Sequence, residues 1–152
     1  MSRRNLITMT DAEIQAFLQE ERTLQVATID HDGYPHLIAM WYILYEGQIA
    51  FWTYARSQKA VNLRRDPRLT CLAETGERYD ELRGVQIKGQ AVIYDDVAIV
   101  QRFGESIMER YNGPLDEKTR AMVAAQAPKR IIVVVKPVEI VSWDHRKLGG
   151  VY

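Results

Sequence analysis

Runs of strand-forming residues separated by tight turns dominate the first third of the sequence. Residues 23 to 30 and 34 to 47 are rich in β-branched and aromatic residues, and a His-Asp-Gly segment at 31 to 33 joins them. Asp-Gly is typical of the short turns that connect antiparallel strands. A Glu-Gly turn at 46 to 47 leads into a third run, 48 to 55. The spacing predicts a hairpin that extends into a three-stranded antiparallel meander.

Later segments alternate between strand and helix patterns. Alternation or continuous apolar character predicts strands at 68 to 76, 85 to 96 and 130 to 137, and residues 138 to 144 continue the last of these past Pro137. Apolar residues at helical spacing, with capping residues before them, predict helices at 11 to 21, 57 to 66, 97 to 111 and 115 to 126. About six antiparallel strands with connecting helices predict an α+β fold built on a small β-barrel.

The run at 130 to 137, RIIVVVKP, has almost no polar alternation. Such a strand is covered on both faces, either in the centre of the barrel or against a second subunit. Both alternatives remain open from the sequence, and we expect a dimer.

Composition limits the partners that the chain can have. The 152 residues suit one domain spanning 1 to 152, with 20 basic and 20 acidic residues. Balanced charge provides no field for nucleic acid, and no segment is apolar enough to span a membrane. The single cysteine, Cys71, lies in a predicted strand and is interpreted as a small core residue. We expect a cytoplasmic protein without membrane insertion.

The stretch YARSQKAVNLRRDP, residues 54 to 67, is the strongest candidate for chemistry. A strand that ends in a turn and a helix leaves free backbone N–H groups at the helix N-terminus, and these attract anions. Arg56, Ser57 and Lys59 add a guanidinium, a hydroxyl and an ammonium at that point, which suits a phosphate. The alternative is a solvated basic helix face on which Ser57 only caps the helix.

Aromatic residues on the neighbouring strands form a second candidate feature. Trp41, Tyr42, Tyr45, Trp52 and Tyr54 could wall a flat pocket, or they could be cross-strand core pairs. A flat pocket beside a phosphate site suggests a flavin-type cofactor.

The remaining candidates for chemistry are weak. His31, His36 and His145 lack metal-ligand spacing, so no metal site is predicted, and the first two are expected to be exposed. No hydrolase or nucleotide-binding motif is present.

The order of these motifs resembles a known family. The PHLIAMW strand, the FWTYARSQKAVNLRRDPR segment, the VQIKGQA strand and the final PVEIVSW resemble the pyridoxamine 5′-phosphate oxidase-like split β-barrel superfamily. The resemblance covers about residues 7 to 144 and is nearest to the actinobacterial flavin/deazaflavin oxidoreductases, which use coenzyme F420 or FMN. It implies a six-stranded antiparallel split barrel and a homodimer with two cofactor sites at the subunit interface.

The resemblance also implies a set of cofactor-binding residues. Arg56, Ser57 and Lys59 would hold the phosphate. The flat ring and its ribityl chain would be bordered by residues of two strands: Ile38, Ala39, Met40 and Trp41, together with Trp52 and Thr53. Trp143 corresponds to a tryptophan that can approach from the other subunit, or it packs the rim of the dimer.

Three departures from the family pattern affect the expected substrate. Gln58 stands where the vitamin B6 oxidases have the first of two adjacent basic residues, and Gly84 stands where they have a glutamine. The HRKLGGVY tail has no counterpart of their segment for substrate phosphate. Pyridoxamine phosphate is therefore not the expected substrate.

The implied function is hydride transfer between coenzyme F420 and a small organic acceptor, such as a quinone, a tetrapyrrole or an enone. Tyr42, Tyr45 or solvent could supply a proton. Basic residues around the groove favour F420, whose acidic tail could meet Arg56, Arg64, Arg78 or Lys88. The alternatives are an FMN-dependent oxidase or reductase, and a non-enzymatic dimer that binds a flavin, F420 or haem.

Overall fold

The structure is a computed structural model that describes residues 2–150. Its strands are β1 Leu24–Ile29, β2 Pro35–Met40, β3 Ile43–Tyr45, β4 Gln48–Tyr54, β5 Arg68–Thr75, β6 Arg83–Tyr94 and β7 Arg130–Asp144. Its α-helices are α1 Arg3–Ile7, α2 Asp11–Glu20, α3 Gln58–Arg65, α4 Val97–Asn112 and α5 Glu117–Gln126. Short 3₁₀ helices lie at Tyr79–Glu81, Ala127–Lys129 and His145–Leu148.

All the strands belong to one curled antiparallel sheet in the order β2-β1-β5-β6-β7-β4-β3. The two long strands, β6 and β7, pair along almost their whole length, with a register shift between Lys88 and Gly89. A bulge of this kind bends a strand and helps a sheet to curl. The predicted α+β split barrel is confirmed.

The strand count and one connection differ from the sequence prediction. The run at 34 to 47 forms two strands instead of one, so the described residues form seven strands. The predicted hairpins β1–β2 and β3–β4 are present, but β2 and β3 lie at opposite edges of the sheet, so the predicted meander is wrong.

Burial of Tyr42 explains the break between β2 and β3. Its ring is fully buried, and its hydroxyl lies 2.5 Å from the carbonyl oxygen of Leu18 and 2.9 Å from that of Glu21. Anchoring this side chain beneath helix α2 ends β2 and carries the chain across the open side of the barrel. A period-two pattern alone does not reveal such an anchor.

Capping residues define most helix starts as predicted. Thr10 accepts the Glu13 N–H at 3.2 Å, Ser57 accepts the Ala60 N–H at 3.3 Å, and Asp96 accepts the Ile99 N–H at 3.1 Å. Helix α1 was not predicted from the sequence. It is one short turn without buried residues, so no apolar periodicity marks it.

Two apolar layers make up the core, one inside the barrel and one between the sheet and helices α4 and α5. Strand β7 contributes to both, because Ile131, Val133 and Val135 face the barrel whereas Ile132 and Val134 face the helices. The apolar run is therefore central within this chain, which is the first of the two alternatives. Cys71 is fully buried and burial raises its pKa to about 12, so it is an unreactive core residue as predicted.

One face of the sheet carries exposed apolar residues, and we call it the outer face. A depression on it is lined by apolar side chains, among them Ala27, Ile29 and Pro35, together with polar and charged ones, among them Arg68 and Lys88. Leu37 is 66% exposed and Val138 is 73% exposed. Among the helices of residues 2–150, none has the length and apolar character needed to cross a membrane.

Candidate functional site

The turn between β4 and α3 gathers the cationic residues singled out from the sequence. Lys59 Nζ donates to Thr53 Oγ1 at 3.1 Å, and Thr53 Oγ1 lies 3.2 Å from Ser57 Oγ. Ser57 is the N-cap of α3, as predicted, and Arg56 is exposed at the turn. We call Thr53, Arg56, Ser57 and Lys59 the basic corner.

Lys59 is a buried cation without a counter-charge. Only 7% of the residue is exposed, and no carboxylate of residues 2–150 lies within ion-pair distance of it. Burial lowers the pKa of Lys59, and the nearby charge of Arg130 lowers it further. A buried ammonium that has only a neutral hydroxyl partner is unfavourable by itself, so this geometry favours the binding of an anion.

A buried amide fixes the position of α3 and hence of the basic corner. Asn62 donates to Thr28 Oγ1 at 3.0 Å and to Asp30 Oδ1 at 2.7 Å, and accepts from Gln58 Nε2 at 2.8 Å. These bonds tie α3 to the end of β1. Because such a network is satisfied, it holds the helix N-terminus in one orientation.

A second feature, which we call the Trp pocket, opens beside the basic corner. It has a volume of about 430 Å³, within the range of small-molecule sites. It is lined by Thr23, Ala39, Met40, Trp41, Trp52, Ile107, Met108 and Arg130. Trp52 is 6% exposed, and its Nε1 has no hydrogen-bond partner among the described residues.

Glycine in helix α4 allows Trp52 to lie close to the helix backbone. A Cβ atom at Gly104 would lie 3.1 Å from the Trp52 ring and 2.9 Å from Val123 Cγ1. Contacts this close are tighter than ordinary van der Waals packing, so a larger residue at 104 would displace the indole. The glycine therefore sets the depth of the Trp pocket.

Trp41 forms a wall of the Trp pocket and is held from behind by Tyr111. The two rings stack at 4.4 Å with an interplanar angle of 11°. The Tyr111 hydroxyl donates to the carbonyl oxygen of Arg22 at 2.7 Å. Arg110 donates to Tyr111 Oη at 3.0 Å and to the Glu21 carbonyl at the end of α2 at 2.7 Å. The wall is therefore tied to helices α2 and α4.

Arg130, which the sequence interpretation missed, lies between the basic corner and the Trp pocket. Its guanidinium carbon is 4.0 Å from the Trp52 ring centre and 3.9 Å from that of Tyr54. Its Nε donates to Gln126 Oε1 at 2.8 Å. The register pairs Tyr54 with Arg130 across β4 and β7, and no local sequence signal reveals that long-range pairing.

The structure divides the expected cofactor residues into groups. Ala39, Met40, Trp41 and Trp52 meet in the Trp pocket, whereas Thr53, Ser57 and Lys59 meet in the basic corner. Successive residues of a strand face opposite sides, which explains why Trp52 and Thr53 separate. Ile38 is 41% exposed on the edge strand β2 and belongs to neither group.

Trp143 lies at the other end of β7 from Arg130. Its indole occupies the place of a side chain at Gly84, where a Cβ atom would be 2.1 Å from Trp143 Cζ2. Residues of α1, among them Ile7, line the same region. Within one chain Trp143 therefore does not join the basic corner or the Trp pocket.

Several other residues have roles that differ from expectation. Tyr42 cannot serve as a proton donor because it is fully buried and burial raises its pKa to about 12. His31 is exposed as expected, but His36 is not, since its Nδ1 is buried without a partner among the described residues. Within residues 2–150, no cluster of three or more His, Cys, Asp or Glu side chains could hold a metal ion.

The basic residues expected to meet an acidic tail are mostly engaged. Lys88 Nζ lies 3.0 Å from Glu139 Oε2, and Arg78 lies 2.6 Å from Asp80 Oδ2. Arg64 donates to the carbonyl oxygen of Ala55 at 2.6 Å. Arg56 is exposed and has no ion-pair partner among the described residues.

The curled antiparallel sheet, with a cation-bearing turn between β4 and α3, defines a split β-barrel protein. Residues 10–144 match the family model described as pyridoxamine 5′-phosphate oxidase, and the chain belongs to this family. Among curated proteins, none matches the chain significantly.

Solved structures share the fold across almost the whole chain. A conserved hypothetical protein from Mycobacterium tuberculosis is 46% identical, with a TM-score of 0.92, covering 100% of this chain and 95% of its own. An F420 reductase is 24% identical, with a TM-score of 0.68, covering 83% of this chain and 94% of its own. A haem storage protein from Vibrio cholerae is 19% identical, with a TM-score of 0.68, covering 86% and 93%. The last two similarities concern the fold alone.

Proposed function

We propose that the protein is an oxidoreductase that uses coenzyme F420 to transfer a hydride to or from a small organic acceptor of the quinone, tetrapyrrole or enone type. The observation that carries the proposal is the buried, uncompensated ammonium of Lys59. It lies beside Ser57 at the N-terminus of α3, where backbone N–H groups also favour an anion. A cofactor phosphate supplies the missing counter-charge.

The residues present fit a cofactor with a phosphate and a flat ring. Lys59 and Ser57 would bind the phosphate, with Arg56 adding positive charge from the turn. The residues from Ile38 to Trp41, with Trp52 and Thr53, would border the ring and its ribityl chain. When bound, the deazaflavin supplies the hydride-accepting or hydride-donating carbon, and the protein supplies orientation and a partly dry surface.

The function is assigned to a homodimer. The outer face exposes Leu37 and Val138 beside a depression that is partly apolar, so a second copy would remove these side chains from water. Dimerisation would also give Trp143 a route to the partner subunit's cofactor, which it lacks within its own chain. The site is then complete only in the dimer.

The test is a fluorescence titration of the full-length protein with F420 and, separately, with FMN. We expect F420 to bind more tightly than FMN, and Lys59→Met to weaken F420 binding by about 10- to 100-fold, because a charge-assisted contact is lost. Lys118→Met is the matched control, because Lys118 lies exposed on α5, away from both parts of the site. It should leave the affinity unchanged.

Other results of this titration would support one of the alternative functions or contradict the proposal. Tighter binding of FMN, with the same dependence on Lys59, would make the protein an FMN-dependent oxidase or reductase. Tight binding without faster reduction or oxidation of any acceptor than free cofactor achieves would make it a cofactor-binding dimer. Equal affinities of the wild type and Lys59→Met would remove the basic corner from the site and contradict the proposal.

A further inference from the structure

The Trp pocket combines one cationic side chain with flat apolar walls, and no acidic side chain lines it. Its lining residues include no Asp or Glu, and its only charged member is Arg130. No carboxylate of residues 2–150 lies within ion-pair distance of this guanidinium.

The guanidinium is held in place before any ligand arrives. Trp52 and Tyr54 contact it at 4.0 Å and 3.9 Å, and Gln126 accepts from its Nε at 2.8 Å. Because Nε is the only guanidinium nitrogen with a protein partner in the described residues, the two terminal NH₂ groups are available. A planar, immobilised guanidinium is well suited to binding a carboxylate through two parallel hydrogen bonds.

Flat surfaces next to Arg130 indicate the rest of the ligand. The exposed Trp41 indole is held by its stack on Tyr111, and the thioethers of Met40 and Met108 line the same pocket. Indole faces and thioethers favour contact with aromatic or conjugated rings. A ligand with a ring of this kind and a carboxylate can engage both parts of the pocket at once.

We propose that the Trp pocket binds a planar organic carboxylate and that Arg130 pairs with its carboxylate group. This inference rests on the proposed function and narrows it: the ligand is the hydride acceptor, seated beside the cofactor bound at the basic corner. Ile38 and Ala39 are exposed, so the ring would lie over them at the rim of the Trp pocket, and the acceptor would lie inside the pocket beside Arg130. Carboxylated planar acceptors are therefore favoured over neutral quinones.

Calorimetric titration of the full-length protein with 2-naphthoate and its neutral analogue 2-naphthamide tests the proposal. We expect the wild type to bind naphthoate at least about tenfold more tightly than naphthamide, since the carboxylate gains a charge-assisted pair. Arg130→Gln should reduce this ratio to about one. Lys129→Gln, which removes the adjacent exposed charge, should leave the ratio as in the wild type.

A second variant guards against a folding defect in Arg130→Gln. Arg130→Lys keeps the charge but loses the planar fork and the stacking, so its ratio should lie between those of the wild type and Arg130→Gln. Thermal melting of each variant reports whether it folds. Equal binding of the two probes to the wild type, or a full ratio in a folded Arg130→Gln protein, would overturn the proposal.

Arg130 could pair with the carboxylate of an acceptor or with the phosphate of the cofactor. Titrating the variants Arg130→Gln and Lys59→Met with F420 distinguishes these two oxyanions. We expect Arg130→Gln to keep the wild-type F420 affinity within about twofold, whereas Lys59→Met loses it. An equal loss in both variants would place Arg130 in the cofactor phosphate site and overturn the assignment to the acceptor. Because the naphthoate titration needs no cofactor, failure of F420 binding would contradict the proposed function without deciding this inference.

Discussion

The two ends of the barrel differ in whether their cationic side chains have acidic partners. Around the end of β7 three cations each have an acid: Lys147 lies 2.6 Å from Glu13, Arg146 lies 2.7 Å from Asp144, and Arg83 lies 3.5 Å from Glu20. We call these three pairs the ion-pair cluster. At the start of β7 and α3, Lys59 and Arg130 lie close together, and no carboxylate of residues 2–150 lies within ion-pair distance of either.

The difference indicates which end binds ligands. Paired charges contribute to the fold or to solubility and need nothing further. Cations held together without a counter-charge raise the free energy of the folded protein, which is a feature of functional sites. The comparison therefore favours this end of the barrel for binding anions, at the basic corner and at Arg130.

The largest expected effect concerns the outer face, against which we propose that a second copy packs. Leu37→Glu should convert this proposed dimer into a monomer, since it places a charge in an apolar contact. Sedimentation should show that the mass of the particle falls by half. The fluorescence titration should show that F420 binding is lost. Val97→Glu, at an exposed apolar residue on α4, should remain dimeric, and a monomeric wild type would contradict the proposal.

Gly84→Ala tests the packing of Trp143 at the end of β7 that carries the ion-pair cluster. The new Cβ would lie 2.1 Å from Trp143 Cζ2, so the indole must move, at a cost of about 1–3 kcal/mol in unfolding free energy. Denaturant melts measure this cost. The cost of Gly84→Ala should be smaller in a Trp143→Ala protein than in the wild type. Equal costs in the two proteins would show that the clash is absent.

Asp144→Asn tests the ion-pair cluster directly. Hydrogen bonding from Arg146 holds the pKa of Asp144 below its usual range, so the carboxylate stabilises the protein above pH 3.8 and loses this effect as pH falls through the lowered pKa. At neutral pH the variant should lose about 1 kcal/mol of stability with unchanged F420 affinity. The difference in unfolding free energy between the wild type and the variant should decrease in acid. A difference that does not change with pH would contradict the pairing of Asp144 with Arg146.

Lys59→Met should have the smallest effect on stability, and with the opposite sign. Because the pKa of Lys59 is lowered in the folded state, folding releases protons, and stability rises with pH from the lowered pKa up to 10.5. The variant should lack this rise and be at least as stable as the wild type at neutral pH. Melting curves from neutral to alkaline pH check it, and destabilisation at neutral pH would mean that Lys59 supports the fold.

Local signals in the sequence predicted most elements. The turn at Asp32-Gly33 and the caps Thr10, Ser57 and Asp96 depend only on neighbouring residues, so they could be identified before any tertiary contact was known. The basic corner was assembled from one contiguous segment for the same reason. The break at Tyr42 was missed, because it depends on carbonyl groups of α2 more than twenty positions earlier.

The sequence by itself determined a small antiparallel barrel with connecting helices and one short cationic turn, since strand periodicity, turns and caps act over a few residues. Only the tertiary structure decided that Lys59 is buried without an acid, that Arg130 lies on Trp52 and Tyr54, and that Trp143 occupies the space above Gly84. These facts depend on strand register and on which side of a strand each residue faces. Register joins residues distant in the chain, and it is set by the packing of the whole sheet.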